Sequence, residues 1–127
     1  MNVPMELWEP IREGMRRVVE EPGGTGGLAR IAGVQSAGKT GTAQNPHGPD
    51  HAWFVGFAPL EEPEITIAVL VENAGFGGTQ AAPIAGACMK YYLSALSSRK
   101  EAEQQSGPIA SATVSATSGA ARSAERP

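Results

Sequence analysis

The stretch Ser36-Ala37-Gly38-Lys39-Thr40-Gly41-Thr42-Ala43-Gln44 constrains this chain more than any other. It sets a lysine, two threonines and two glycines between apolar segments, and Asn45-Pro46-His47-Gly48-Pro49-Asp50 follows at once with turn residues throughout. No helix can start before such a turn, so the stretch is expected as a short strand. Thr40 and Thr42 then project to one face, Lys39 and Gly41 to the other. Glycine within a strand marks a bulge or a close approach by another group. Two hydroxyls on one face can both hydrogen-bond a carboxylate, and an ammonium nearby adds the opposite charge. An edge strand can also pair with an extended peptide through its main chain. The residues suit a site that holds a peptide with a free carboxylate.

The flanking segments read as support for that strand. Trp8, Ile11, Met15, Val18 and Val19 are spaced by three and four, which predicts an amphipathic, half-buried helix from about Glu9 to Glu20. Pro10 fits in its first turn. Pro22 and the glycines at 23, 24, 26 and 27 stop it, as a phosphate cradle or, more simply, a flexible connector. Leu28 to Ile31 and Val34 to Ala43 alternate loosely. His51 to Ala58 is an aromatic and β-branched run that predicts a strand. Pro59 to Pro63 makes a short link to Ile65–Val71, apolar on both faces and so expected as a central strand covered on each side, antiparallel to its predecessor.

A second glycine-rich loop, Glu72 to Gly78, precedes a closing helix that Thr79 is expected to cap, with Pro83 in the first turn. Ile84, Ala87, Cys88, Tyr91, Tyr92 and Ala95 mark an apolar stripe expected to lie on the sheet, with Cys88 as a small core residue. After Ser97 the chain turns to Ser, Ala, Thr, Gln and Arg without periodicity. Residues 98–127 are therefore expected as a disordered tail behind a folded portion, residues 1–97.

Composition narrows the function classes. With 127 residues the chain is long enough for one domain with a modest core. A net charge of -3 and scattered basic residues leave no nucleic-acid footprint. One cysteine permits neither an internal disulfide nor a cysteine-based metal site. His47 and His51 flank Pro and Asp in an expected loop, where solvated side chains are the default. No apolar run of about eighteen residues predicts a membrane span, and no basic-then-apolar leader predicts export.

Two patterns compete for the central stretch. Gly33-Val34-Gln35-Ser36-Ala37-Gly38-Lys39-Thr40 spells a P-loop. A P-loop follows an apolar strand and opens a helix whose N-terminus binds phosphate, whereas Gly41 to Pro46 cannot begin one. Ser36-Ala37-Gly38-Lys39 spells Ser-x-x-Lys, a serine nucleophile with its lysine base. That pair needs a helix to share a face; on a strand, residues three apart point to opposite sides.

Three segments together resemble the C-terminal part of the transpeptidase domain of a class B penicillin-binding protein, closer to the elongation type than the septal one. They are Gly38 to Gln44, His51 to Pro59, and Val71-Glu72-Asn73 with the Gly75–Gly78 loop and Ala82-Pro83-Ile84-Ala85. The Lys-Thr-Gly motif is one that these enzymes share with serine β-lactamases. The resemblance covers about residues 9–97. It implies an α+β fold, part of the penicillin-binding-protein and serine β-lactamase architecture: an antiparallel sheet of that domain's third to fifth strands, packed with a preceding and a C-terminal helix. It also implies a peptidoglycan D,D-transpeptidase working by acyl transfer through a serine ester, without cofactor or metal. Lys39 would supply positive charge and assist proton transfer near the serine. Thr40, Gly41 and Thr42 would bind the carboxylate of a D-Ala-D-Ala stem peptide or of a β-lactam, and the Thr42 backbone N–H would be an oxyanion-hole donor. The intact family protein would act at the periplasmic face of the inner membrane with the cell-elongation machinery.

The chain departs from the family pattern. The nucleophile helix with Ser-x-x-Lys and the Ser-x-Asn loop precede this region in the family and are not expected here, so the chain alone is expected to be inactive. A noncatalytic module binding peptide carboxylates through Thr40 and Thr42 is the alternative; a P-loop nucleotide hydrolase is a third reading.

Overall fold

The computed structural model describes residues 4–106. Helix α1 spans Met5–Glu20, followed by strands β1 (Ala37–Ala43), β2 (His51–Ala58) and β3 (Ile65–Val71) and helix α2 (Gly77–Gln105). The three strands form one antiparallel sheet in the order β1-β2-β3, the α+β architecture expected. Register is set by the pairs Thr40↔Phe54 and Phe54↔Val69.

β2 and β3 match their expected bounds to the residue, because turn residues close both ends of each apolar run. β1 starts later than the alternation suggested. Ile31 and Val34 pair with each other around Gly33, whose φ is +81°, and the strand begins only at Ala37. The expected central position of β3 is corrected: β2 is central, and among the described residues no strand pairs with the outer edge of β3. Nor is β3 covered on both faces. Ile65, Ile67, Val69 and Val71 are half-buried toward the helices, while Thr66, Ala68 and Leu70 are exposed.

The core lies between the sheet and the helices. Phe54, Met89 and Val19 are fully buried, joined by Ala29, Ala52, Ala81, Ala82 and Ala85. The Phe54 ring lies across the neighbouring strand, where a Cβ on Gly38 would run into it. That is the close approach a strand glycine signals.

Both helices differ from expectation at particular points. α1 starts at Met5 behind Pro4, so Pro10 lies inside the helix rather than in its first turn. α2 begins at Gly77 with Phe76 at the cap position; Thr79 sits within the first turn, its hydroxyl donating to the Phe76 carbonyl at 3.0 Å. Pro83 accordingly falls past the first turn. The stripe expected on the sheet is instead exposed, including Ile84, Cys88, Tyr91 and Tyr92. The packed face is Ala81, Ala82, Ala85, Gly86 and Met89. The physical reason is proximity: a Cβ on Gly86 would stand 2.9 Å from Ala29 Cα. A seam that tight selects small side chains, and a reading weighted by hydrophobicity favours the larger ones opposite.

α2 also continues through Ser98 to Gln105, residues assigned by composition to the tail. Lys100 helps hold it, donating to Glu64 Oε1 at 2.8 Å. The rest of the expected tail, residues 107–127, lies outside the described residues. Among those described, no helix is long and apolar enough to cross a membrane.

Candidate functional site

β1 is an edge strand, and its alternation divides the signature residues between two sides of the sheet. Thr40 and Thr42 share a face with their cross-strand partners Phe54 and Ala52, the side on which the helices pack. Lys39 lies on the other, opposite Val55, and is exposed. Its ammonium reaches back along the strand to donate to the Thr40 carbonyl at 2.6 Å.

A cleft of about 640 Å³ opens beside the threonines. Three segments line it: Thr40, Gly41 and Thr42 from β1; Gly24, Thr25, Gly27 and Leu28 from the glycine-rich loop; and Phe76 to Thr79 at the start of α2. The expected substrate-binding trio is thus brought together, while Lys39 is not among the lining residues. None of these residues is charged. The electrostatics come from the start of a 29-residue helix, whose first-turn N–H groups and positive dipole end lie at the cleft.

The glycines make this arrangement possible. A Cβ on Gly78 would overlap the Thr25 carbonyl oxygen and stand 3.7 Å from Thr40 Cγ2. The two glycine-rich loops therefore meet main chain to main chain, with the Thr40 methyl beside them. The β3–α2 loop is also pinned from behind. Asn45 Nδ2 donates to Asn73 Oδ1 at 2.7 Å, and the Gly75 N–H donates to the Asp50 carbonyl at 2.8 Å. The Asn73 N–H donates to His51 Nδ1 at 3.0 Å, so His51 is not the solvated loop residue expected.

Sequence reasoning missed Thr25. Its hydroxyl lies 2.8 Å from the Thr40 hydroxyl, in the loop expected to be a mere connector. The only local signal was a threonine between two glycine pairs, which no motif reads.

The structure disposes of the competing patterns. Residues 37–43 are strand where a P-loop would turn into a helix. Ser36 is fully buried, and its N–H and hydroxyl both donate to Glu20 Oε1, at 2.9 and 3.2 Å. Arg30 braces the same carboxylate at 3.4 Å. A second Ser-x-x-Lys spelling, Ser97-Ser98-Arg99-Lys100, corrects the expectation that the chain has none outside Ser36. It falls on a helix, as the nucleophile pair requires. But the Ser97 hydroxyl donates to the Leu93 carbonyl at 3.0 Å and Lys100 pairs with Glu64. Ser97 also lies far along α2 from Gly77, about 30 Å from the cleft at 1.5 Å per residue.

Comparison with known proteins gives a consistent result. Residues 1–90 match the family model of the penicillin binding protein transpeptidase domain. The peptidoglycan D,D-transpeptidase MrdA of Haemophilus influenzae is 40% identical over 110 residues, covering 73% of this chain and 17% of that protein. PBP2 of Pseudomonas aeruginosa, solved in complex with WCK 5153, superposes with a TM-score of 0.61 at 42% identity, over 68% of this chain and 19% of that one. PBP2 of Helicobacter pylori, solved in complex with MreC, gives 0.60 at 31% identity, over 72% and 17%. The chain therefore spans less than a fifth of the length of each of these three proteins.

Proposed function

Since the chain belongs to the penicillin-binding-protein transpeptidase family, we propose that it forms the substrate-holding wall of a peptidoglycan D,D-transpeptidase. The observation that carries this is the cleft along β1, where two threonine side chains and the first turn of α2 converge. Thr40 and Thr42 hydroxyls donate to the carboxylate of a D-Ala-D-Ala stem peptide or a β-lactam, and Gly41 leaves room for its main chain. The positive end of the α2 dipole supplies the counter-field that no charged lining residue provides.

The reaction is acyl transfer to a serine that these residues do not supply. Lys39 serves it from the exposed side of the sheet, stabilising negative charge and assisting proton transfer at the serine. The Thr42 backbone N–H is one oxyanion-hole donor, worth about 3 kcal/mol in the transition state. The site faces the periplasm in the intact protein, and the partner is the cell-elongation machinery; the Helicobacter pylori relative solved with MreC supports that direction.

A second reading is a noncatalytic module that binds peptide carboxylates. One observation favours it: Thr25, Thr40, Thr42 and Thr79 all line the cleft, and hydroxyls can hold a carboxylate without a nucleophile.

A chimera separates the two. Residues 9–97 replace the matching segment of the Haemophilus influenzae enzyme, which is then exposed to a fluorescent penicillin. Labelling that disappears with Lys39→Ala supports the transpeptidase wall. A folded chimera that stays unlabelled while the parent labels contradicts it.

A further inference from the structure

The Thr25–Thr40 contact gives the glycine-rich loop a role in the site. Thr25 is exposed, yet its backbone is held on both sides. The Gly24 N–H donates to the Glu21 carbonyl at 3.0 Å and the Gly26 N–H to the Val18 carbonyl at 2.9 Å. A Cβ on Gly24 would press into the carbonyls of Arg17 and Val18, and one on Gly78 into that of Thr25. The loop is a shelf wedged between the end of α1 and the start of α2. On that shelf the Thr25 hydroxyl stands 2.8 Å from the Thr40 hydroxyl.

A hydroxyl carries one hydrogen and two lone pairs. If Thr40 donates to Thr25, it has no hydrogen left for an anion in the cleft. If Thr25 donates, the Thr40 hydrogen is free to point at the ligand. A carboxylate only accepts, so its arrival selects the second arrangement. Hydrogen bonds in series polarise one another, and the Thr40 donation strengthens as a result. Because the shelf already holds Thr25, no loop has to be ordered for this to happen.

We propose that Thr25 is a positioning residue of the carboxylate site: its hydroxyl donates to Thr40 Oγ1 and directs the Thr40 hydrogen at the ligand. This rests on the carboxylate reading of the cleft, and the test keeps the two apart. N-acetyl-D-Ala-D-Ala and its C-terminal amide are titrated separately into the full 127-residue chain, as wild type, Thr25→Val and Thr25→Ser. Amide-resolved NMR follows both binding and folding.

Wild type binds the free acid in preference to the amide. Thr25→Val loses about fivefold of that preference, the worth of one hydrogen bond. Thr25→Ser keeps it, because the hydroxyl remains; a merely structural contact would not move the acid-to-amide ratio. If valine crowds the shelf and unfolds the chain, Thr25→Ala carries the same expectation. A wild type that does not distinguish acid from amide defeats the carboxylate reading and this inference with it. A wild type that prefers the acid, with a folded Thr25→Val that prefers it equally or more, overturns the role of Thr25 alone.

Discussion

Gly77 lies backbone to backbone against Gly41 where α2 meets β1. A Cβ on Gly77 would overlap the carbonyl oxygens of Gly41 and Trp53 and stand 3.0 Å from the Gly41 nitrogen. The contact seats the first turn of α2 beside the threonines and sets the width of the cleft. Gly77→Ala is therefore expected to destabilise the chain by about 1–3 kcal/mol, since no flexible side chain can yield. A urea-unfolding midpoint unchanged by the substitution would place the helix start elsewhere.

Acid sensitivity is expected from α1. Glu13 accepts hydrogen bonds from Arg16 and Arg17, which lower its pKa from 4.5 to about 2. Its carboxylate thus adds stability above pH 4.5, and that increment fades as pH falls toward 2. The pair is solvent-exposed, so the effect is small. Glu13→Gln should flatten the stability profile in that window and leave it unchanged near neutrality. An equal acid loss in both proteins argues against the ion cluster.

No covalent β-lactam adduct is expected on this chain alone. Ser36 is buried against Glu20, and Ser97 is tied to Leu93 at the far end of α2. Intact-mass spectrometry after incubation with a penicillin should show only the unmodified protein. A mass increase that vanishes in Ser97→Ala would mean that the helical Ser-x-x-Lys pair reacts after all.

Self-association is expected in solution. Trp53, Val55 and Leu70 are 38%, 41% and 44% exposed on one face of the sheet, and among the described residues no strand pairs with the outer edge of β3. Such a patch beside an unpaired edge favours contact with another surface. Sedimentation velocity should detect species heavier than a monomer at micromolar concentration, reduced in Leu70→Lys. A wild type that stays monomeric at all concentrations contradicts this.

What the sequence could reveal depended on whether the determinant was local. β2 and β3 were legible to the residue because their apolar runs end at turn residues. The strand that carries Thr40, Gly41 and Thr42 was legible because alternation and the adjacent turn settle its course. The packed face of α2 was not, since Gly86 and the alanines are chosen by closeness to Ala29 and the sheet. Nor was Thr25, whose partner lies fifteen residues away across a loop closure that no local pattern encodes. Alternation alone put Lys39 on the face opposite the threonines; what no local pattern encodes is that the cleft opens on the threonine side, away from Lys39.

The most direct test of the account is where a peptide carboxylate lands on the chain. N-acetyl-D-Ala-D-Ala titrated into the isotopically labelled protein should move the amide signals of Thr40 to Thr42 and Phe76 to Thr79 saturably. Thr42→Val should weaken that response about fivefold or more. No response at those residues, or one centred elsewhere on the chain, would contradict the reading of β1 as a substrate-holding strand.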